Sequence, residues 1–340
     1  MAKSKTRVAV LGDGSWGTTL ALVLARNGVS TILWSAFPET CEVLRKERRN
    51  EAYLPGVDFP DSLELTADPF EAVKGADFLV SVIPTQYLRE TARRFEDAIP
   101  GDLPMVSASK GIEVETLKSP TGIIEEVLGA RPLCVLTGPS HAEEVARGLP
   151  ATLVAGCENL EFATQVQEAF NSDTFRVYTH ADAKGAELAA ALKNVIALAA
   201  GICDGLELGD NAKSALVTRG VVEMARYGKA HGARPETFFG LAGIGDLATT
   251  CFSKHSRNRS VGEALGRGRT LEQILGEMKM VAEGVWTTKA LFGPESELAG
   301  ISMPIAKQVH AVLFEGKDPR SAVLDLMSRE PVGEMDGLWG

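Results

Sequence analysis

Residues 7–17 read RVAVLGDGSWG and residues 18–28 continue TTLALVLARNG. The apolar run Val8 to Leu11 predicts a strand, the three glycines a tight turn, and the leucine- and alanine-rich stretch a helix. That order is the one a dinucleotide-binding turn requires. Gly12 permits the sharp turn, Gly14 lets the backbone approach a pyrophosphate, and Gly17 lets the helix lie close on the strand. The helix N-terminus offers the anion its unpaired N–H groups. A G-x-G-x-x-G pattern alone is weak; the strand before it and the helix after it give it weight.

Outward from this turn the chain keeps alternating. STILW (30–34) reads as a strand, PETCEVLRKERR (38–49) as a helix and LELT (63–66) as a strand. A short helix follows Asp68-Pro69, and DFLVSVIP (77–84), PMVSASKG (104–111) and PLCVLTGPS (132–140) are apolar runs that end in small polar residues. Such β-α alternation predicts a doubly wound, mostly parallel Rossmann-type sheet with ligands at the carboxyl ends of its strands. Those ends are Ser81 to Pro84, Ser109 to Lys110 and Gly138 to Ser140. From about residue 181 the chain turns alanine-rich and helical in period, so an all-helical C-terminal domain is expected. The domains are placed at 1–185, dinucleotide-binding, and 186–340, helical and substrate-binding or catalytic, since 340 residues exceed what one core usually holds.

With 45% hydrophobic and 24% charged residues, the chain reads as an ordinary soluble globular protein. Its net charge of −10 argues against nucleic acid or anionic lipid as partners, so a phosphate-bearing ligand must be held by a few local cations. MAKSKTR runs straight into the first strand without a small-residue cleavage site, so no signal peptide is expected. AELAAALKNVIALAAGI (186–202) is the most apolar long stretch, but Glu187 and Lys193 interrupt it, and it predicts a buried helix instead of a membrane span. Five scattered cysteines without C-x-x-C spacing suit reduced thiols in a cytoplasm, with no metal site. A homodimer is entertained as the assembly.

Lys193 has Ala189, Ala190, Ile196 and Ala197 as its helical neighbours, which puts it on an apolar face. Desolvation there would lower its pKa and poise it for proton exchange; a lysine snorkelling at a domain surface has the same pattern. FGLAGIGDLATTC (239–251) presents one acid, Asp246, which also reads as the capped start of a helix. KHSRNRSVGEALGRGR (254–269) places Ser256, Arg257, Asn258 and Arg259 ahead of a helix expected from near Val261. That arrangement suits a phosphate better than the alternative, a solvated basic turn capped by Ser260.

Together GDGSWGTTLA, SASKGIE (107–113), LTGPSHAEE (136–144), AALKNVIALAAGI, GLAGIGDLATTC, SRNRSVG and VAEGVWT (281–287) resemble the NAD(P)-dependent glycerol-3-phosphate dehydrogenase family, in the family's order from about residue 7 to residue 315. The resemblance implies reduction of dihydroxyacetone phosphate to sn-glycerol 3-phosphate, reversibly, for glycerophospholipid synthesis, with NAD or NADP. It implies that Lys193 gives and takes the proton, that Lys110 polarises the carbonyl, and that Asp246 orients Lys193. Gly138, Ser140, Ser256, Arg257 and Asn258 then match substrate contacts, with Arg257 the phosphate clamp and also close to the cofactor. Ser15 and Trp16 match residues over the pyrophosphate, Ala142 a cofactor contact, and Val281 and Glu283 the edge of the dinucleotide pocket.

One place departs from the family. The second predicted strand ends Trp34-Ser35-Ala36-Phe37, without the acid that grips the 2′-hydroxyl of NAD or a base for the 2′-phosphate of NADP. Ser35 is expected at the ribose, able to serve either cofactor, so the preference stays open. The competing readings are a related β-hydroxyacid dehydrogenase or a reductase of another small phosphorylated ketone, and a dinucleotide sensor that has lost its chemistry.

Overall fold

Strand β1 (Arg7–Leu11) sits inside an eight-stranded sheet, hydrogen-bonded on both sides. In this computed structural model, residues 6–278, 280–294, 296, 298, 300–335 and 338 are described. The remaining strands are β2 (Ser30–Trp34), β3 (Arg49–Asn50), β4 (Leu54–Asp58), β5 (Leu63–Thr66), β6 (Phe78–Ser81), β7 (Met105–Ser107), β8 (Leu133–Thr137), β9 (Ala151–Gly156) and β10 (Phe175–His180). The sheet runs β10-β9-β8-β7-β6-β1-β2-β5, and β3 with β4 forms a separate antiparallel ribbon. Every pair in the large sheet is parallel except β8 with β9.

Seven helices cover the two faces: α1 (Ser15–Arg26), α2 (Pro38–Glu47), α3 (Pro69–Val73), α4 (Thr85–Arg93), α5 (Pro120–Leu128), α6 (Ala142–Ala146) and α7 (Leu160–Phe170). Alternation along the strands sends Val8, Val10 and Leu33 into one core with α1, α2, α6 and α7, and sends Ala9, Leu11, Ile32 and Trp34 into the other with α3, α4 and α5. This is the doubly wound arrangement expected from β-α alternation. β2 and β5 coincide with the runs read from sequence, whereas α2 stops at Glu47, short of 49. Arg48 ends it by taking a left-handed φ of 53°, and its guanidinium donates to the carbonyls of Leu63 and Pro60.

By contacts the chain falls into two compact units, one holding the chain through Ser109 with Pro120–Ala183, the other Lys110–Ser119 with Lys184–Gly340. Ten residues after β7 thus leave the sheet unit for the helical one and return, an excursion with no signature in the sequence.

The helical unit contains α8 (Ala183–Gly205), α9 (Gly209–Ala230), α10 (Asp246–Phe252), α11 (Arg257–Gly266), α12 (Leu271–Glu277), α13 (Glu283–Leu291), α14 (Pro304–Phe314) and α15 (Pro319–Met327). α8 is long and apolar enough to cross a membrane, with a mean hydropathy of 1.6, yet that window is wholly buried inside the protein, as a core helix would be. Gly201 and Gly205 of α8 face Gly262 and Gly266 of α11. A Cβ on Gly201 would stand 2.0 Å from the Arg259 carbonyl oxygen, and one on Gly262 would stand 2.0 Å from that of Leu198. Glycine on both helices therefore permits a backbone-to-backbone crossing that sets the Ser256–Arg259 turn against the helix of Lys193.

Glu223 of α9 is buried, and its two carboxylate oxygens accept the backbone N–H groups of Ile305 and Ala306, each at 2.8 Å, at the open end of α14. Burial pushes its carboxyl up to about 7 against the pull of those N–H groups. Between about 4.5 and 7 the folded chain therefore holds a proton that the unfolded chain releases, and this group's contribution to stability falls as the pH rises through that window. Glu223→Gln puts an amide N–H₂ opposite a backbone donor. It is expected to lower unfolding stability by about 1–3 kcal/mol at pH 5, with a smaller deficit at pH 8. Urea midpoints at the two pH values check this.

Candidate active site

The three glycines of the first turn have distinct surroundings. Gly12 has a φ of 112°, and a Cβ there would press on Ile83 at 2.9 Å. A Cβ on Gly17 would stand 1.8 Å from the Gly12 carbonyl oxygen, so only glycine lets α1 start this close to β1. Gly14, by contrast, faces open space, with nothing within 4 Å of an added Cβ. Open space in front of a helix N-terminus is what an entering pyrophosphate needs. The Trp16 indole N–H is buried without a partner among the described residues, leaving a donor for such a guest. These features fit a dinucleotide.

Around that turn the side chains are braced. Asn50, delivered by the β3–β4 ribbon, donates to the Asp13 carbonyl at 2.7 Å and to Thr18 Oγ1 at 2.9 Å. Thr19 Oγ1 reaches the carbonyls of Ser15 and Ala142, at 2.8 and 3.3 Å, so buried Ala142 belongs to the packing of α6 on α1. Gly138 is fixed by its own strand end: with a φ of 145°, an added Cβ would lie 2.9 Å from Leu153 Cα. Ser140 Oγ donates to the Gly138 carbonyl at 2.9 Å and keeps its lone pairs for a ligand.

Ser35 departs from expectation. It is fully buried, and its hydroxyl donates to Asp13 Oδ2 at 2.6 Å, with the Phe37 carbonyl at 3.2 Å. A hydroxyl has one proton, and this one is engaged by a carboxylate inside the glycine turn, so in this structure Ser35 is buried and offers an incoming ribose no free donor. An acid introduced at Ser35 would meet Asp13 before any cofactor.

The helical unit gathers the ionisable groups. Lys193 Nζ of α8 donates to Asp246 Oδ1 at 2.7 Å and to Thr250 Oγ1 at 2.5 Å. Lys110 Nζ, from the ten-residue excursion, donates to Asp246 Oδ2 at 2.7 Å. One carboxylate thus bridges two ammonium groups, and the cluster carries a net positive charge with Lys193 and Asp246 buried. Burial would raise the Asp246 carboxyl, but the two ammonium groups overcome this and hold it below the usual carboxylate range. Lys193 is pulled the other way, down to about 8, mainly by desolvation, with Asp246 opposing and Lys110 assisting. It is therefore no snorkelling lysine. Asp246 does not stand at the cap position of α10 either: Gly245 holds that place, Asp246 is the helix's first residue, and its two carboxylate oxygens meet the two lysines; a π-turn, Leu241–Gly245, leads into α10. Thr250, one turn after Asp246, was not singled out in the sequence; its spacing of four residues within a helix is the signal that could have found it.

The SRNR turn starts its helix at Arg257, four residues before the expected start. Ser256 is the cap, its Oγ accepting the Arg259 N–H at 3.2 Å, so Ser260 does not cap it. Arg259 is committed to Asp204 at 2.6 Å and Glu263 at 3.2 Å. Arg257 is exposed at the helix start, steadied by a 2.9 Å bond from Nη1 to the Val281 carbonyl. Asn258 is buried; its amide donates to Asn194 Oδ1 at 3.0 Å and its carbonyl oxygen accepts the Gly284 N–H at 2.9 Å. It ties the residue after Lys193 to the first turn of α13, where Glu283 stands. Among the described residues, no cluster of three metal-ligating side chains forms.

Family models for the N-terminal and C-terminal parts of NAD-dependent glycerol-3-phosphate dehydrogenase match residues 7–163 and 182–324. The chain belongs to the NAD-dependent glycerol-3-phosphate dehydrogenase family. It is 50% identical, over 97% of its length and 99% of the relative's, to a glycerol-3-phosphate dehydrogenase [NAD(P)+] of Chlorobium phaeobacteroides (strain BS1). A relative of the same description from Citrifermentans bemidjiense is 47% identical over 95% of this chain and 97% of its own. The crystal structure of glycerol-3-phosphate dehydrogenase from Coxiella burnetii superposes with a TM-score of 0.91 at 37% identity, covering 96% of this chain and 99% of that one. The family's two parts correspond to the sheet followed by helices seen here. A ketopantoate reductase from Ralstonia eutropha shares the fold alone, with a TM-score of 0.54 at 17% identity.

Proposed function

We propose that this dehydrogenase reduces dihydroxyacetone phosphate to sn-glycerol 3-phosphate with a nicotinamide cofactor, reversibly, and so supplies the glycerol backbone of phospholipids. The observation that carries the chemistry is the buried Lys193, held between Asp246 and Thr250 with a second ammonium on the same carboxylate. When bound, the nicotinamide supplies the hydride. Lys193 gives the carbonyl oxygen its proton during reduction and takes it back during oxidation, a role suited to an amine tuned close to the working pH. Lys110 adds positive charge where the alkoxide develops. Asp246 is a positioning residue: it fixes the donor directions of both ammonium groups.

Arg257 clamps the substrate phosphate, supported by the N-terminus of α11 and by Ser256, while Gly138 and Ser140 line the substrate. Arg257 is also assigned to the cofactor, with Val281 and Glu283 at the dinucleotide edge. Gly12, Gly14, Ser15, Trp16 and Gly17 cradle the pyrophosphate, Lys110 and Ala142 also lie toward the cofactor, and Asn258 holds the substrate turn in place. The sheet unit is the dinucleotide-binding part and the helical unit the catalytic one. Five free, buried cysteines suit a cytoplasmic setting, and a net charge of −10 disfavours nucleic acid as a partner.

Initial velocities with dihydroxyacetone phosphate, taken with NADH and with NADPH, test the reaction; no turnover with either would overturn it. Arg257→Lys keeps the charge and removes the planar fork. KM for dihydroxyacetone phosphate should rise about 10- to 100-fold with kcat little changed. Efficient reduction of unphosphorylated dihydroxyacetone by the unmodified enzyme would count against any clamp.

A further inference from the structure

The geometry points to Asp13, inside the glycine turn, as the residue that reads the 2′ position of the adenosine ribose and makes this enzyme prefer the cofactor without a 2′-phosphate. The inference rests on the dinucleotide reading of the first turn. Dinucleotide domains of this topology place an acid at the carboxyl end of the second strand, where it accepts from the ribose 2′-hydroxyl. Here β2 ends in Trp34 and is followed by Ser35, so β2 itself brings no charge to that place. The structure nonetheless puts a carboxylate there, supplied from another strand end: Ser35 Oγ donates to Asp13 Oδ2 at 2.6 Å. The backbone of Asp13 is pinned as well, its carbonyl accepting from Asn50 at 2.7 Å and Thr18 at 3.1 Å. Oδ1 accepts from no other residue among the described ones, and Asp13 is only half-buried, so one oxygen remains for an incoming hydroxyl.

Two cations stand near the same strand end, Arg94 and Arg45 of α2, the second held by Glu42 at 2.6 Å and by the Leu65 carbonyl at 2.8 Å. Arg94 stacks on the Trp34 ring, 4.7 Å from its centroid, and donates Nη1 to the Ala36 carbonyl at 3.0 Å. Trp34 and Ser35 point to opposite faces by strand alternation, so Arg94 stands on the face away from Asp13. A 2′-phosphate beside Asp13 would meet a carboxylate, with Arg94 on the other face and Arg45 already paired to Glu42.

The test uses the full-length enzyme and adenosine fragments, so that it reads binding and not turnover. Calorimetric Kd values are taken for ADP and for 2′-phospho-ADP, and for NADH and NADPH, with the unmodified protein, Asp13→Asn, Ser35→Ala and Arg94→Ala. The unmodified protein should bind the member of each pair that lacks the 2′-phosphate at least ~5-fold more tightly, the scale of one charge pair near 4 Å in water. Asp13→Asn keeps an acceptor for Ser35 and removes the charge, so the ratio should collapse toward one, chiefly by tighter binding of the 2′-phosphates. Ser35→Ala should weaken discrimination in the same direction by freeing the carboxylate. A ratio unmoved by Asp13→Asn, or a preference controlled by Arg94→Ala instead, overturns the inference; failure of the unmodified protein to bind ADP and NADH at all overturns the dinucleotide reading itself.

Discussion

Replacing Lys193 by Met is expected to lower kcat for dihydroxyacetone phosphate reduction by at least ~10²-fold, the usual scale for a positioned general acid. Methionine is unbranched, one atom shorter than lysine, and at home in an apolar helix face, so the 23-residue α8 should keep its place in the core and NADH should still bind. The pH profile carries the sign of the effect. Reduction needs the ammonium form, so in the unmodified enzyme its rate should fall as the pH rises through about 8, while oxidation of glycerol 3-phosphate should rise through the same point. Near-normal turnover by the Met variant, or reduction unchanged from pH 7 to 9, would remove Lys193 from the proton path.

Asp246→Asn should be the most damaging single change in the helical unit. It leaves two ammonium groups facing a neutral amide in a site where Lys193 and Asp246 are both buried, and uncompensated buried charge costs about 3–5 kcal/mol. Thermal denaturation reads that loss. In whatever fraction folds, the attraction that opposes desolvation at Lys193 is gone, so the alkaline limb of the reduction profile should move below its position in the unmodified enzyme. A melting temperature within a degree of the parent, with the limb unmoved, would mean that Asp246 neither anchors nor tunes the lysines.

The parts of this fold legible in the sequence are those governed by local geometry. β1, the glycine turn and α1 follow from an apolar run meeting glycines at fixed spacing, and β2 and β5 from short apolar runs bounded by turns. Lys193 stood out because a helix places its neighbours by arithmetic. What escaped depends on partners far along the chain. ATLVAG and FRVYTH form β9 and β10, and β9 runs against β8, but direction in a sheet is set by the neighbouring strand and not by the run itself. Asp246 looked like a cap because the π-turn that re-aims its carboxylate arises from packing: a Cβ on Gly243 would stand 1.9 Å from the Phe238 carbonyl oxygen. At Ser35, a place at a strand end cannot reveal a carboxylate arriving from 22 residues earlier.

The ten residues that leave the sheet after β7 bear on how the protein is made. Lys110 emerges from the ribosome 136 residues before the carboxylate it will meet. At the usual pace of roughly 5–20 residues per second, its ammonium waits about 7–27 s for Asp246 while Pro120–Ala183 are threaded back to complete the sheet unit. A nascent chain halted near residue 183 would therefore hold every strand of the sheet and, in its midst, a strap with nothing to grip. A single cut near residue 183 would strand Lys110–Ser119 on the wrong fragment and leave Lys193 and Asp246 as a simple pair. The net positive charge of the site is thus a product of the finished chain, and neither half can carry it alone.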